Sequence, residues 1–281
     1  MRSRPFIQCD VFTDTPTRGN GLAVVMDGTG LSDAEMQAFA AWTNLAETTF
    51  LLPARSDEAD YTLRIFTPTR EMPFAGHPTL GSCAAWLHLG GQPKEPGIVR
   101  QDCGVGVVEI DLTGPVPAFV APATAIRPMD PDMRAAILST LDIPEDRVRH
   151  TAELDNGPVW QMIELASAED VLRAEAMRVR WPEFKAIGLF GAYPDGADCA
   201  YEVRMLAPSS GMAEDPITGS LNAAIALWLQ NEGRLTGPLT ASQGQKIGRK
   251  GRVHILPHPS HDGRVLIGGE TQMLIEGTVR I

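Results

Sequence analysis

The chain has 281 residues and a formal net charge of −11 at pH 7; 43% of the residues are hydrophobic and 21% are charged. This composition is typical of globular proteins, and the length allows two domains of about 140 residues, each large enough for its own core. The acidic net charge argues against a nucleic-acid partner, because proteins that bind nucleic acids usually have a basic surface. The most basic run of this sequence, 246–252, is short and flanked by strand-like residues.

The sequence also argues against secretion, a membrane span and a metal site. Residues 6–12 alternate like a strand and are too polar for a signal-peptide core, and no run of about 18 apolar residues occurs. We therefore expect a cytoplasmic protein. The cysteines are far apart without a C-x-x-C pair, and three histidines straddle prolines without carboxylate neighbours, so neither disulfides nor a bound metal is expected; these residues are Cys9, Cys83, Cys103, Cys199, His254, His258 and His261.

The first half of the chain predicts short strands and two helices, separated by glycine and proline. A glycine-rich turn, 17–21, joins the first two strands. Ser32 and Glu35 form a capping-box pattern that predicts the start of a helix ending near Trp42. A second, apolar helix follows the stretch 70–76. The predicted strands are 6–12, 22–26, 48–52, 61–66, 98–101, 105–112 and 118–120.

The second half repeats this plan after a proline-rich stretch, 114–131, which is the predicted crossing between two lobes. Asp130 and Pro131 predict a capped helix start, and Ser167 is predicted to begin a helix that runs to residue 177. A long apolar helix follows Ser220. The predicted strands are 158–165, 187–190, 199–206, 239–242, 252–256, 265–267 and 271–281.

The two apolar helices begin with similar motifs. The segment 77–85 matches 215–223 in Pro, Gly, Ser and Ala at constant spacing, and each helix is followed by a glycine, Gly90 or Gly233, of the kind that ends helices. A helix that is apolar on all sides must be surrounded by other structure. The stretch 212–220 and its counterpart therefore predict two similar lobes, each a strongly curved sheet around one helix, although Ala-rich helices can also match by chance.

Polar residues cluster at turns near the two helix starts. If the lobes face one another, both helix N-termini point into the cleft, where free N–H groups and the helix dipoles favour a carboxylate or a phosphate. The alternative is that both ends are only well-capped helix starts. The clustered residues are Asn20, Asn44, Glu47, Arg70, Glu71, His77, Ser82, Glu214, Asp215, Thr218, Ser220 and Gln243.

Glu47 is the candidate for proton transfer. It lies between a predicted helix and an apolar strand, where an acidic residue contributes nothing to amphipathic patterning. An apolar setting raises the pKa of a carboxyl, which suits a proton shuttle near neutral pH. The alternative is a carboxylate held by nearby N–H donors. His77 and Asp215 could equally serve only to start or cap a helix, and Ser220 lacks the G-x-S-x-G pattern of a hydrolase nucleophile.

The order of motifs along the chain resembles the PhzF-like family, which is named for an isomerase of phenazine biosynthesis. The matching segments are Asp10-Val11-Phe12-Thr13 with Gly19-Asn20, 44–50, 64–68, Ala75-Gly76-His77-Pro78-Thr79-Leu80-Gly81, Glu214-Asp215-Pro216-Ile217-Thr218-Gly219-Ser220 and Gln243-Gly244. The resemblance implies that Glu47 transfers the proton and that His77, Asp215 and Ser220 hold the substrate or assist. We also expect Asn20, Gly76, Ser82, Thr218 and Gly219 to bind the substrate. Gly21 departs from the pattern, since the family usually has proline there.

The resemblance also implies an α+β, diaminopimelate-epimerase-like fold with two pseudo-symmetric lobes, each a barrel-like, mostly antiparallel sheet wrapped around a central helix. On this basis we expect an N-terminal lobe, 1–122, joined by the C-terminal strand 270–281, and a C-terminal lobe, 123–269. The active site is expected in the cleft between them. The resemblance further implies that the protein needs no cofactor, that it forms a homodimer, and that it acts on a small carboxylate.

Three functions follow from these observations. The first is a cofactor-independent isomerase that moves a proton on a small carboxylate, with Glu47 as base and then acid. The second is a two-base racemase or epimerase of the same fold, which in its relatives uses a pair of cysteines; the helix starts here hold Gly76-His77 and Asp215-Pro216 instead. The third is a non-catalytic binding or scaffold protein that keeps the cleft.

Overall fold

A computed structural model describes residues 2–180, 183–184, 186–206, 213–258 and 263–281. Met212 and His261, both named from the sequence, lie outside the described residues. The chain divides into two compact units. The first unit comprises Met1–Val120 and Gly268–Ile281, and the second comprises Ala121–Ile267. Along the described ranges, no helix is long and apolar enough to cross a membrane.

The first unit contains eight strands near the N-terminus, the last strand of the chain, and two helices. Helix α1 is Asp33–Thr43 and helix α2 is Gly76–His88. The strands are β1 (Ser3–Val11), β2 (Asn20–Val25), β3 (Glu47–Leu52), β4 (Tyr61–Phe66), β5 (Glu71–Met72), β6 (Ile98–Cys103), β7 (Gly106–Asp111), β8 (Ala118–Val120) and, at the end of the chain, β18 (Thr271–Arg280).

Among its described residues, the second unit contains three helices, α3 (Pro131–Leu141), α4 (Ala168–Arg173) and α5 (Gly219–Asn231), and three short 3₁₀ turns. Its strands are β9 (Ala125–Arg127), β10 (Val148–Asp155), β11 (Val159–Leu165), β12 (Ile187–Ala192), β13 (Tyr201–Leu206), β14 (Glu214–Asp215), β15 (Leu239–Gln243), β16 (Gly251–Pro257) and β17 (Val265–Gly268).

The two units repeat one pattern of strand pairing. In the first unit the pairs β1–β2, β3–β4, β4–β5 and β6–β7 are antiparallel, whereas β2–β3 and β4–β6 are parallel. The second unit has the same sequence of pairings from β10 to β16. Strands β4 and β13 also carry the same residue types at two equivalent positions: Tyr61 corresponds to Tyr201, and Arg64 corresponds to Arg204. These repeats confirm the predicted pseudo-symmetric, mostly antiparallel α+β architecture.

Helices α2 and α5 are the buried central helices predicted from the apolar runs. Most of their side chains are inaccessible to solvent, including Leu80 and Cys83 in α2 and Leu221 and Ala224 in α5. Both are followed by a glycine with positive φ: Gly90 has φ 88° and Gly233 has φ 67°. The predicted glycine stops are thus confirmed.

The sheet of the first unit separates two apolar layers, because successive side chains of a strand point to opposite faces. Thr49 in β3 points to α2, where its hydroxyl lies 2.9 Å from the hydroxyl of Ser82. Its neighbour Phe50 points to α1, where it packs with Met36 and Phe39. The predicted capping box of α1 is present: the Ser32 hydroxyl accepts from Glu35 N, and the Ser32 backbone N–H donates to Glu35.

The strand predictions failed at β9 and β10. Residues 125–127 are exposed, and in β10 the first three residues are exposed or half-buried, so the period-2 alternation is confined to the end of the strand, at Ala152 and Leu154. These strands exist because they pair with each other and with β11, which is a long-range effect.

The helix predicted for 167–177 ends earlier, at Arg173. Its Ser167 cap is present, with the hydroxyl accepting from Asp170 N. Ala174 then turns to ψ 134°, and the carbonyls of Val171 and Ala174 accept hydrogen bonds from Arg204 Nη1 at 3.0 and 2.5 Å. The buried guanidinium of Arg204 therefore donates hydrogen bonds to the carbonyls at the end of this helix, where the sequence predicts further helical turns.

Candidate active site

Three predicted site residues meet in the first unit. Asn20 begins β2 and Glu47 begins β3, and these two strands are parallel neighbours, with Leu22 paired to Glu47. His77 is the second residue of α2, the helix that the sheet surrounds. Parallel pairing therefore places two strand beginnings beside one helix start.

The contacts among these side chains are close. Asn20 Nδ2 lies 3.4 Å from His77 Nδ1, and His77 Nε2 lies 3.4 Å from Glu47 Oε2. Asn20 is 1% exposed and His77 is 5% exposed. The Glu47 side chain keeps 17% of its surface accessible. The set therefore forms a polar group buried in an apolar unit, with Glu47 nearest to solvent.

The protonation of His77 follows from its surroundings. Burial lowers the pKa of His77 from 6.5 to about 3, because a desolvated imidazole resists protonation, so the ring is neutral near pH 7. An amide Nδ2 can only donate, so His77 Nδ1 accepts from Asn20 and carries no proton. The proton then resides on Nε2, which makes no hydrogen bond within the described residues and faces Glu47.

The other predicted residues of the first unit lie along the same helix. Gly76 is the first residue of α2, and Ala75 before it provides no side-chain cap. Ser82 is 0% exposed, and its hydroxyl forms a hydrogen bond with the hydroxyl of Thr49. Its assignment to substrate binding stays a prediction.

The predicted residues of the second unit surround the start of α5. Asp215 ends the two-residue strand β14, Thr218 is the residue before helix α5, and Gly219 and Ser220 are its first two residues. The Thr218 hydroxyl donates to Asp215 Oδ2. The backbone carbonyl of Ser220 accepts from Asn156 Nδ2 at 2.8 Å.

A buried glutamine completes this turn. Gln243, at the end of β15 and 0% exposed, accepts from Thr218 N through Oε1 at 3.0 Å and donates through Nε2 to the Thr218 hydroxyl at 3.0 Å. Asn222, one helical turn into α5, also donates to Gln243 Oε1 at 2.9 Å. Gln243 is thus the side chain that accepts from the Thr218 N–H group, while the Thr218 side chain itself makes no cap to α5.

Some of these contacts were not predicted. The sequence indicates Gln243 as a polar turn residue but not as the partner of Thr218, and it places Asn222 in an apolar helix. One signal was present: an amide within an otherwise apolar helical run must find buried partners. The pair Arg204–Glu214, with both side chains 1% exposed, gave no such signal, because charged residues in strands are usually exposed.

The cysteines are unsuited to acid–base work. All four are free and buried. Desolvation raises the pKa of Cys9 and of Cys83 to about 12, so both thiols are protonated at neutral pH. Across the described residues, no group of three or more histidine, cysteine, aspartate or glutamate side chains is placed to hold a metal ion.

Comparison with known proteins identifies the family. The sequence model of the family PhzC-PhzF, described as phenazine biosynthesis-like protein, matches residues 9–277. The chain is 34% identical to a Schizosaccharomyces pombe protein named Antisense-enhancing sequence 1, over 99% of each chain. It is 30% identical to trans-2,3-dihydro-3-hydroxyanthranilate isomerase from Pseudomonas fluorescens, over 87% of each chain.

The fold agrees with this family. The crystal structure of the Bacillus anthracis phenazine biosynthesis protein of the PhzF family superposes with a TM-score of 0.84, with 20% identity and coverage of 100% of both chains. At that identity the likeness establishes the fold alone. Together with the family match and the related isomerases, it shows that this chain belongs to the phenazine biosynthesis-like family, PhzC-PhzF, and is an enzyme of the isomerase class.

Proposed function

We propose that the protein is a cofactor-independent isomerase that moves a proton between two positions of a small carboxylate substrate, with Glu47 as base and then acid. The observation that carries this proposal is the buried, neutral His77, whose Nε2 lies 3.4 Å from Glu47 Oε2 and makes no hydrogen bond within the described residues. A buried donor in that state is destabilising by about 1 to 3 kcal/mol unless a ligand accepts from it.

The proposed step needs one carboxyl group. The Glu47 carboxylate takes a proton from a carbon next to a π system, and the electron pair of the broken C–H bond moves into that system. The Glu47 carboxyl then returns the proton to another carbon of the same system, which regenerates the carboxylate. His77, neutral and protonated on Nε2, donates to a substrate oxygen that gains charge during the step.

The internal repeat favours one base over two. Thr48 pairs with Phe66 in the first unit as Ile187 pairs with Leu206 in the second, so Ala186 is the counterpart of Glu47. The repeat therefore supplies no second carboxyl at this position. A cysteine pair is also disfavoured, because neither helix start holds a cysteine and the thiols of Cys9 and Cys83 have a raised pKa.

Both the candidate binding residues and the names of related enzymes support a small carboxylate as the substrate class. One related enzyme acts on trans-2,3-dihydro-3-hydroxyanthranilate, as its name states. We extend to this chain only the broader class, a small carboxylate, and propose that Asp215, Thr218 and Ser220 hold it together with Asn20 and His77. A cleft shared by the two units, a homodimer and a cytoplasmic location stay predictions.

The test is proton exchange with solvent. The purified protein is incubated in heavy water with a metabolite extract enriched in carboxylates, and mass spectrometry identifies compounds that gain deuterium. We expect one or a few carboxylates to gain a single deuterium or to change retention time. If the same extract shows neither exchange nor a changed retention time with the wild type beyond that with heat-inactivated protein, the non-catalytic binding function is favoured instead.

A further inference from the structure

Gln243 is buried where β15 ends, beside the start of α5, and its amide bonds to three groups of the turn that carries Asp215. Its Oε1 accepts from Thr218 N and from Asn222 Nδ2, while its Nε2 donates to the Thr218 hydroxyl and, at 3.3 Å, to the Asp215 carbonyl. Asn222 Nδ2 also donates to the Thr218 carbonyl at 2.9 Å. The network is therefore anchored on backbone groups.

These anchors fix the direction of each hydrogen bond. A backbone N–H can only donate, so the Gln243 atom that faces Thr218 N must be Oε1, and Nε2 must face the Thr218 hydroxyl. The hydroxyl accepts that bond, so its single proton is available for one other partner. That partner is Asp215 Oδ2. The chain of donors runs in one direction, from Gln243 through Thr218 to Asp215.

We propose that Gln243 is a positioning residue for Asp215: it directs the Thr218 hydroxyl proton onto Oδ2 and thereby keeps the carboxylate ionised and in one rotamer. The proposal deepens the proposed function, because it rests on Asp215 holding the substrate. The proposal is based on the backbone N–H and the backbone carbonyl of Thr218. These two groups allow only one orientation of the Gln243 amide, the Asn222 amide and the Thr218 hydroxyl in which every hydrogen bond has a donor and an acceptor.

One buried ion pair adjoins this turn. Glu214, adjacent to Asp215, forms a bidentate ion pair with Arg204 at 3.1 and 2.6 Å, and both side chains are 1% exposed. The Thr218 hydroxyl is neutral and takes no part in that ion pair, so removing the hydroxyl leaves the charges of Arg204 and Glu214 unchanged. A change in the titration of Asp215 after removing the hydroxyl then reports the hydrogen bond itself.

The experiment measures the pKa of Asp215 by carbon-13 NMR of its side-chain carboxyl, with the resonance identified by its loss in Asp215→Asn. Thr218→Val removes the hydroxyl at nearly constant shape and should raise the pKa of Asp215 by about 1 pH unit, because the carboxylate loses a donor. Thr218→Ser keeps the hydroxyl and should titrate like the wild type. Gln243→Met removes the directing amide and should raise the pKa by a smaller amount.

Gln101→Met is the matched control. Gln101 is also a 0% exposed glutamine that donates to a threonine hydroxyl, that of Thr79, and it lies in the first unit. We expect it to lower the melting temperature without moving the Asp215 titration. A Thr218→Val curve that superposes on the wild type, or a Gln243→Met curve that superposes on that of Gln101→Met, would overturn the proposal.

This titration requires no substrate, so it is independent of the proposed function. If Asp215→Asn exchanges deuterium into substrates at the wild-type rate, the substrate-holding role of Asp215 fails even when the titration shifts as expected. If turnover falls in Asp215→Asn but Thr218→Val leaves the pKa unchanged, the positioning role fails and the proposed function stands.

Discussion

Arg204 and Glu214 form a bidentate ion pair in which each side chain is only 1% exposed. Arg204 lies on β13 and Glu214 on the two-residue strand β14, immediately before Asp215. The internal repeat places a related pair, Arg64 with Glu71, on β4 and β5 ahead of α2. In each unit, an arginine on a sheet strand holds the segment that leads into the central helix.

The first prediction compares these two arginines. Arg204→Met leaves Glu214 buried without its cation and removes the donor to the Val171 and Ala174 carbonyls, so the free energy of unfolding should fall by about 3 to 5 kcal/mol. Arg64→Met should cost about 1 kcal/mol or less, because its partner Glu71 is 43% exposed. Urea denaturation of both variants measures the difference; equal losses would contradict the role of burial.

The second prediction concerns acid stability. The folded pKa of His77, about 3, is depressed below its ordinary 6.5, so the unfolded chain binds a proton at higher pH than the native protein does. The corresponding stability is present above pH 6.5 and is lost as the pH falls toward 3, with a slope of up to about 1.4 kcal/mol per pH unit. His77→Gln has no proton to gain, so its stability should fall less steeply over this range.

Urea denaturation between pH 7 and pH 4 measures both slopes. His88→Gln is the control, because it makes the same substitution at a histidine whose side chain is 42% exposed. A wild-type slope equal to that of His77→Gln would show that His77 is not held neutral by burial.

The third prediction uses the glycine at which α2 approaches the sheet. A Cβ at Gly81 would lie 2.6 Å from Leu22 Cδ2 and 2.8 Å from Val11 Cγ2. Gly81→Ala should therefore destabilise the protein by about 1 to 3 kcal/mol through overpacking, although alanine favours a helix. Gly21→Ala places its Cβ 3.7 Å from Leu45 Cδ2 and should be tolerated. Thermal melting of the two variants decides; a stabilised Gly81→Ala would be inconsistent with this packing.

The predictable parts of the fold are those that local chemistry specifies. The Ser32–Glu35 capping box, the Asp130–Pro131 start and the glycines after α2 and α5 are all as expected. Strand β10 was missed because Arg149 and His150 are exposed and its pairing partners lie elsewhere in the chain. The end of α4 was missed because a guanidinium distant in sequence, that of Arg204, binds its last carbonyls.

The candidate residues were predictable as residue types near two helix starts, but their hydrogen bonds were not. Motif order identified Asn20, Glu47 and His77, whereas their contact depends on the parallel pairing of β2 with β3. In the same way, Gln243 follows Thr218 by 25 positions, and the two meet because β13 pairs both with β15 and with β14, the strand that precedes the turn. Pairing register is a global property that a single sequence specifies weakly.

The fourth prediction concerns Asp215. Asp215→Asn retains an oxygen that accepts from the Thr218 hydroxyl, so the turn should persist and the melting temperature should change little. The charge is lost, and turnover should fall by a factor on the order of 10² if the carboxylate helps to hold the substrate in the reactive orientation. The exchange assay and a thermal melt are made on the same preparation. A large loss of melting temperature would instead assign Asp215 a mainly structural role.

The central claim is that Glu47 both removes and returns the proton. Glu47→Asp retains a carboxyl but retracts it by about 1.5 Å, and a misplacement of about 1 Å can lower a rate on the order of 10²-fold, so this variant should be slow but measurable. Glu109→Gln is the control for loss of a carboxyl, because Glu109 is a partly exposed partner of Arg100 in the same unit. It should exchange like the wild type.

The most direct measurement is the rate at which Glu47→Gln incorporates solvent deuterium into the substrate identified with the wild-type protein. Glutamine keeps the size of the side chain but cannot take a proton, so the account predicts a decrease by a factor on the order of 10² to 10⁴ with the melting temperature preserved. Incorporation by Glu47→Gln at the wild-type rate would contradict the account.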